Sequence, residues 1–585
     1  MKELQYLNKY FIKYKYYFLI GITVTIVAQI FSLFTPKLIS KSLNLIQGYI
    51  NESGEIEIVK YELLKNLGLI IGTTIISGFF YFLMRQSLIV MSRYVEFDLK
   101  NEIFKHYERL SQNFYKQNRT GDLMNRISED VGKVRMYVGP AIMYTINTFI
   151  RFTIVIIYMY NVSPELTFYS LLPLPLLSYF IYKLSTEINI RSGIFQQNLS
   201  QLSSYTQEFF SGVRVVKAYA LEDEQNKMFE DLSQKSRDKN LSLATVNAFF
   251  GPLMILLIGL SNLIVIYAGG IMYINGKIES IGIIAEFILY INMLTWPVAS
   301  VGWVSSLIQE AEASQQRINE FLKVEPEIKN NNPEKTPIEG NIEFKNVSFV
   351  YQDTKIKALN NISFKLEKGK TLAILGKTGS GKSTILSLIS RLYDVDEGEI
   401  LIDGKNITQL NLENLRKETG IIPQDAFLFS DTIKNNIKFG KENATDNEVI
   451  DAAKIAEVHQ TIIKFGKGYD TMLGERGVTL SGGQKQRVSI ARAIIKDPVI
   501  YLFDDCLSAV DTETEEKILN NLYEISQNKT TIIVSHRISS AKKADSIIIL
   551  DNGQIIQQGS HNQLINKEGY YKELYLKQLT EKEIE

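Results

Sequence analysis

Cysteine is nearly absent from this chain: Cys506 is the only one in 585 residues. No disulfide can close within the polypeptide, which excludes a disulfide-stapled architecture. An excess of charge is also missing. Basic and acidic side chains number 64 each, so no global field points to nucleic acid. No small-residue cleavage site follows the first apolar run, which argues against a removable signal peptide. Residues 1–16 are instead basic and aromatic, with Lys2, Lys9, Lys13 and Lys15 among Leu and Tyr. That composition suits an uncleaved anchor lying at a membrane surface. Glycine and proline are both missing from residues 92–119, so nothing there interrupts a helical period.

What is present divides into two halves, and the length allows two or more domains. The first half is crowded with Ile, Leu, Phe and Tyr. Apolar stretches long enough to cross about 30 Å of hydrocarbon recur. They fall at residues 17–40, 63–91, 141–160, 166–184, 249–274 and 281–307. The connections after the second and fourth stretches are long and rich in Lys and Arg, including Arg93, Lys100, Lys105, Arg109, Lys217, Lys227 and Lys235. The positive-inside rule then puts both termini and both long connections on the cytoplasmic side. Residues 92–119 would extend about 40 Å beyond the bilayer as helix, and residues 122–130 return. Residues 185–241 repeat the design, turning near 216–223. The tips of these two hairpins are candidates for passing force to a nucleotide-driven domain. Pro173, Pro175, Pro252 and Pro297 lie within spans, where each permits a kink. Arg151 lies near mid-depth of the third span, where a cation facing lipid is costly, so it should face a cavity or a partner. Glu286 is the candidate counter-charge. Phe149, Phe152, Met254, Phe287 and Met293 are either helix packing or the lining of an adaptable cavity.

Residues 324–337 are rich in Pro, Asn and charge, and hydrophobic periodicity stops there. The organisation expected is a membrane domain over residues 1–325, a linker over 326–340 and an α/β domain over 341–585. Within the last, an apolar run over 371–375 reads as a buried strand. It is followed by Gly376, Lys377, Thr378, Gly379, Ser380, Gly381, Lys382, Ser383 and Thr384, then by the start of a helix. Strand, glycine-rich loop and helix is the context that a phosphate-binding loop requires. Glycines let backbone N–H groups turn towards an anion, and the helix N-terminus adds partial positive charge. Lys382 is placed for the β- and γ-phosphates of ATP, and Ser383 for Mg²⁺.

Further residues presuppose the same nucleotide. Tyr351 ends a strand-like stretch and is a candidate for stacking on adenine. Gln424 sits in a loop from which it could orient Mg²⁺ or the attacking water. Ser481, Gly482, Gly483 and Gln484 precede a helix and form a second anion site. One γ-phosphate cannot occupy two distant sites, so the natural solution is two domains facing head to tail. Residues 499–503 read as a buried strand that ends in Asp504 and Asp505, and Asp504 suits Mg²⁺ coordination. His536 stands at the tip of another strand over 531–535. It is one of four histidines in the chain and is a candidate sensor of the γ-phosphate. Residues 547–556 read as a hairpin turned at Asn552 and Gly553.

Taken together, the six spans, the phosphate loop, Gln424, the run Leu480 to Gln484, Asp504 and His536 resemble an ABC exporter half-transporter, over essentially the whole chain. The resemblance implies a multidomain fold: an all-α six-span transmembrane domain followed by an α/β P-loop ATPase domain. It implies a multi-pass protein of the inner or plasma membrane. It also implies that residues 118–122 lie near the first coupling hairpin. Residues 474–477 would be the cross-domain loop, and residues 508–511 the loop that reaches the opposite phosphate site.

One residue departs from the family pattern. Active members carry Glu after the Mg²⁺ aspartate, as general base for water. Here that residue is Asp505, one methylene shorter, and a displacement of about 1 Å can cost on the order of 100-fold in rate. The expectation is a degenerate site that binds ATP and hydrolyses it slowly, while the intact Ser481 to Gln484 segment completes a partner's site. The partner expected is a second, different half-transporter. Membrane lipids are the other expected partner, and the substrate expected is a hydrophobic, amphipathic or drug-like small molecule. A lipid flippase, a peptide exporter and an exporter-shaped importer of metal chelates are the alternatives. No peptidase segment precedes the first span, which argues against a processing peptide exporter. A soluble ATPase acting on ribosomes or DNA is inconsistent with six spans, and a gated channel would need a continuous leak path.

Overall fold

The computed structural model describes residues 2–52, 56–474, 477, 479–507 and 510–584. The chain forms two compact units, one of Met1–Glu108 with Gly121–Val324, the other of Arg109–Thr120 with Glu325–Glu585.

The first unit is helical. Its long elements are α1 (Lys15–Glu52), α2 (Ile56–Arg109), α4 (Ile142–Val162), α5 (Pro173–Ser211), α6 (Glu222–Ala248), α7 (Phe250–Ile274) and α8 (Ile281–Leu322); the short α3 (Gln112–Gln117) lies in the second unit. Among the described residues, five helical stretches are long and apolar enough to cross a membrane: Lys15–Ile50, Ile56–Arg109, Thr120–Val162, Glu222–Ile274 and Ile281–Leu322. The expected span at 166–184 falls on the helix Pro164–Leu171 and the start of α5. Ser163 caps the first of these by accepting from the Leu166 N–H at 3.4 Å. Pro173 opens the second, in a first turn where a missing N–H costs nothing. Pro175 and Pro252 also lie in first turns, so of the four prolines only Pro297 sits deep inside a helix.

Many polar groups in these helices find partners within the helical unit. Thr145 and Thr153 donate to the carbonyls of Ala141 and Phe149, one turn back, at 2.7 and 2.9 Å. Arg151 finds neutral partners: its Nε donates to Gln29 Oε1 at 3.0 Å, and Nη2 donates to the Tyr81 hydroxyl. Gln29 donates in turn to Asn147 Oδ1. Glu286 does not act as the counter-charge. It accepts from the Tyr290 hydroxyl at 2.8 Å, one turn along its own helix. Both oxygens that meet Arg151 are thus uncharged, and its charge is satisfied by hydrogen bonds rather than by an ion pair.

The N-terminal segment is tied down rather than loose. Leu4, Leu7 and Tyr10 are buried. Tyr6, Lys9 and Tyr10 all donate to the Glu102 carboxylate on α2, Lys9 at 2.6 and 2.7 Å. Hydrogen bonds to an ionised acceptor are the strong class, each about 1.5–3 kcal/mol.

The second unit holds two sheets. The smaller is antiparallel, in the order β2 (Lys357–Leu366), β1 (Ile342–Val350), β4 (Glu397–Ile402), β5 (Lys405–Asn406). The larger runs β10 (Gln554–Gly559), β9 (Ser546–Asp551), β3 (Thr371–Gly376), β8 (Thr530–Val534), β7 (Ile500–Asp504), β6 (Thr419–Ile422). Only the β10–β9 hairpin in it is antiparallel. Strands β3 and β8 are buried throughout, as parallel strands covered on both faces must be, which is why they read as continuous apolar runs.

Glu102→Ala should leave α2 helical while freeing the N-terminal segment. Limited trypsin digestion is expected to cut at Lys9 and Lys13 at least several-fold faster than in the parent, and unchanged cleavage there would refute the tethering role.

Candidate functional site

The larger sheet brings four strand ends level. Ile374 pairs with Val534, Asp504 with Val534, and Ile422 with Phe503, all in parallel register. Beyond these carboxyl ends come the glycine loop, His536, Asp504 with Asp505, and Gln424. Parallel sheets bind ligands at this edge because the loops that leave it converge there.

The glycine loop needs its glycines. Gly381 has φ +99°, and a Cβ there would lie 2.3 Å from the Ala358 carbonyl oxygen. At Gly376 a Cβ would lie 2.2 Å from the Leu550 carbonyl oxygen. Helix α9 (Lys382–Ile389) starts immediately after Gly381. Lys382 is buried, and its ammonium donates to the carbonyls of Gly376 and Lys377 at 2.9 and 2.8 Å, curled into its own loop. Burial pushes this ammonium below the usual lysine range, against the pull of Asp505 and Asp504. The Ser380 hydroxyl is buried without a hydrogen-bond partner. Lys377, Thr378 and Gly379 form the turn between strand and helix, with Gly379 at φ +81°.

Of the three residues expected to hold Mg²⁺, Ser383 and Asp504 meet. Ser383 Oγ donates to Asp504 Oδ1 at 2.8 Å. Octahedral Mg²⁺ at about 2.0–2.1 Å from each ligand sets neighbouring oxygens about 2.9 Å apart, so these two oxygens fit adjacent positions. The donor set is hydroxyl and carboxylate, as this hard cation prefers. Burial, and then Asp505 nearby, raise the Asp504 carboxyl above the usual range; the Ser383 hydrogen bond, Lys382 and His536 act the other way. Gln424 lies two residues beyond β6, which is hydrogen-bonded to β7, and its side chain is exposed. Only its carbonyl is engaged among the described residues, accepting from Gln486 at 3.5 Å.

Asp505 has φ +42°, the left-handed region, and its N–H donates to the Val534 carbonyl at 2.9 Å. The chain therefore turns sharply as it leaves β7, and the hydrogen bond to β8 fixes where this carboxylate starts. His536 follows β8, and its carbonyl accepts from Gln578 at 2.9 Å. Tyr351 comes from the other sheet. Its hydroxyl lies 3.1 Å from the hydroxyl of Thr384 on α9, and its ring meets Phe349 and Tyr393 edge to face.

Ser481, Gly482, Gly483 and Gln484 stand apart from this group. They open α10 (Gly482–Ile494) with a capping box: the Ser481 hydroxyl accepts from the Gln484 N–H at 3.4 Å, and the Gln484 side chain accepts from the Ser481 N–H at 2.9 Å. Helix α10 packs in a core with Leu428, Ile437 and Val449, whereas α9 packs with β1, β2 and β3. The two anion-binding devices therefore belong to different cores of one unit. Glu475, Arg476, Ser508 and Ala509, from the two loops expected to act across domains, lie outside the described residues. Two further residues, Lys116 and Tyr393, were not legible in the sequence. The Lys116 ammonium lies 4.2 Å from the Tyr351 ring centroid and 5.1 Å from that of Tyr393. These three residues are far apart in the chain, and no local pattern links them.

Comparison with known proteins gives a consistent picture. Residues 18–298 match the family model for the ABC transporter transmembrane region, and residues 359–508 the model for the ABC transporter. The chain is 37% identical to the multidrug resistance-like ATP-binding protein MdlA of Escherichia coli (strain K12), over 82% of this chain and 81% of that protein. It is 34% identical to the protein of the same name from Buchnera aphidicola subsp. Schizaphis graminum (strain Sg), over the full length of both. Its fold is similar to the structure of a bacterial Atm1-family ABC exporter with ATP bound, with a TM-score of 0.80 and 26% identity over 96% of this chain and 99% of that one.

Asp504→Asn should separate stability from activity. A carboxyl whose pKa is raised by folding loses stability as pH rises from the unfolded value through the folded one, so the neutral amide is expected to raise the melting temperature of the nucleotide-free protein at pH 7. The same change should lower ATPase activity on the order of 100-fold or more, because charge stabilisation by a bound metal is worth several kcal/mol. Scanning calorimetry and a phosphate-release assay read the two effects.

Proposed function

The chain belongs to the ABC transporters, as an exporter half-transporter that crosses the membrane several times, binds ATP and couples its hydrolysis to transport, and from that premise we propose that it exports amphipathic, drug-like compounds as one subunit of a heterodimer. The observation that carries the substrate class is a cavity of about 620 Å³ within the helical unit, between α4 and α8. Its lining is mainly apolar and includes Tyr144, Phe149, Phe152, Val301, Gln309 and Glu312. A wide apolar wall with a few polar groups suits molecules with a hydrophobic body and one polar end. Phe149 and Phe152 contribute to it, while Met254 and Phe287 are buried in packed clusters and Met293 packs against one. The multidrug names of the relatives agree with this class.

The domains run over residues 1–325 and 341–585 with a linker between, and both termini are cytoplasmic. In the nucleotide domain the glycine loop and Lys382 hold the phosphates, Tyr351 stacks on the base, and His536 contacts the γ-phosphate. Ser383, Asp504 and Gln424 would hold Mg²⁺, which when bound neutralises developing charge on the phosphates. Ser481 to Gln484 complete the partner's site rather than this chain's own, which accords with their separate core. Nucleotide held between two such faces favours the closed state only by its differential affinity for it. Asp505 supplies the general base poorly. Its short side chain starts from a backbone pinned to Val534, so the carboxylate is withdrawn from water that a Glu would reach.

The lone chain in lipid nanodiscs should hydrolyse ATP slowly while still binding it. Asp505→Glu should raise the rate on the order of 100-fold, and co-expression with a half-transporter carrying Glu at the matching position should raise both ATPase activity and dye uptake by inside-out vesicles. Brisk turnover by the unmodified lone chain would overturn the degenerate-site reading.

A further inference from the structure

The segment Arg109–Thr120 follows directly from α2, yet it belongs to the nucleotide-binding unit. Its attachment is specific. The Ser111 hydroxyl and the Asn113 amide donate to the two oxygens of Glu327, both at 2.9 Å. Asn113 also donates to Gln352 Oε1 at 3.4 Å, the residue next to Tyr351. One turn further along α3, the Lys116 ammonium lies over the Tyr351 ring at 4.2 Å. Two residues of this short helix, Asn113 and Lys116, thus meet the residues that follow β1, and Lys116 touches the ring itself.

The geometry points to Lys116 as a positioning residue for the nucleotide base: its ammonium holds the Tyr351 ring in the orientation on which adenine stacks. This rests on the reading of Tyr351 as the base platform. A cation against an aromatic face gains from the ring quadrupole. The ring is partly buried against the core of the unit. Its hydroxyl meets Thr384 at 3.1 Å, and Phe349 and Tyr393 approach edge to face. These contacts hold its edges, and the ammonium adds the contact on its face that sets the tilt. Asp353 and the two tyrosines keep the ammonium charged: burial alone would lower its pKa, but their combined pull raises it. Through this contact, base occupancy is linked to α3, and by thermodynamic reciprocity a restraint on α3 tightens base binding.

Lys116→Met, which keeps the aliphatic stem, tests the assignment in the full chain in nanodiscs. Equilibrium binding is measured for ATP and for tripolyphosphate, which has no base. The expected result is ATP affinity weakened about two- to five-fold, tripolyphosphate affinity unchanged, and Lys116→Arg close to the parent. In a Tyr351→Leu background Lys116→Met should have no further effect. Equal losses for ATP and tripolyphosphate, an unchanged ATP affinity, or a loss that persists without the Tyr351 ring would each overturn it. Tyr351→Leu alone reports on the platform itself: if that change leaves ATP affinity unaltered, the base-stacking reading fails, whatever Lys116 does.

Discussion

A glycine loop at the end of a buried strand constrains everything around it. The carbonyls of Leu550 and Ala358 press so closely on Gly376 and Gly381 that neither position accepts a Cβ. The loop is therefore a fixed ring of backbone, and α9 must begin at its edge. Lys382 is then buried and lies within its own loop. Burial disfavours the charge on this ammonium and on the half-buried Asp504 carboxylate, and each of the two favours the charged form of the other. The rest of the larger sheet serves the same edge. Parallel strands β3, β8 and β7 end level, so residues separated by more than a hundred positions in the chain stand next to one another.

The helical unit meets a different constraint. Without water, each polar group must find a partner inside the protein. The Thr145 and Thr153 hydroxyls do so by bonding one turn back along their own helix, and Arg151 does so through Gln29 and Tyr81. Neutral acceptors satisfy its donors without cancelling its charge. The cavity between α4 and α8 is walled by aromatic residues of the third span, Tyr144, Phe149 and Phe152.

Helix α2 joins the two problems. Its 54 residues span about 80 Å at 1.5 Å per residue. It leaves the helical unit at Glu108 and delivers α3 to the nucleotide-binding unit. Glu327, at the head of the linker, receives two of its donors, so the chain's second crossing between the units anchors its first.

Much of this was written locally in the sequence. The phosphate loop is contiguous, so residues 376–384 announce themselves. Buried parallel strands are continuous apolar runs, so the strands that carry Asp504 and His536 were legible too. Span lengths and the break of periodicity after residue 324 follow from composition. The fourth span was less legible: its prolines split it between two helices, and helix starts depend on capping by single residues such as Ser163. Partnerships across the chain were not legible at all. Glu286 is the only acidic residue in its span, which made it the natural partner for Arg151, yet it turns to Tyr290 on its own helix. Likewise nothing near Lys116 in the sequence points to Tyr351. Short-range geometry is set by neighbours along the chain, so sequence alone determined the loop, the strands and the spans. Which side chain faces which is decided by how the helices and sheets pack, and only the tertiary structure contained that.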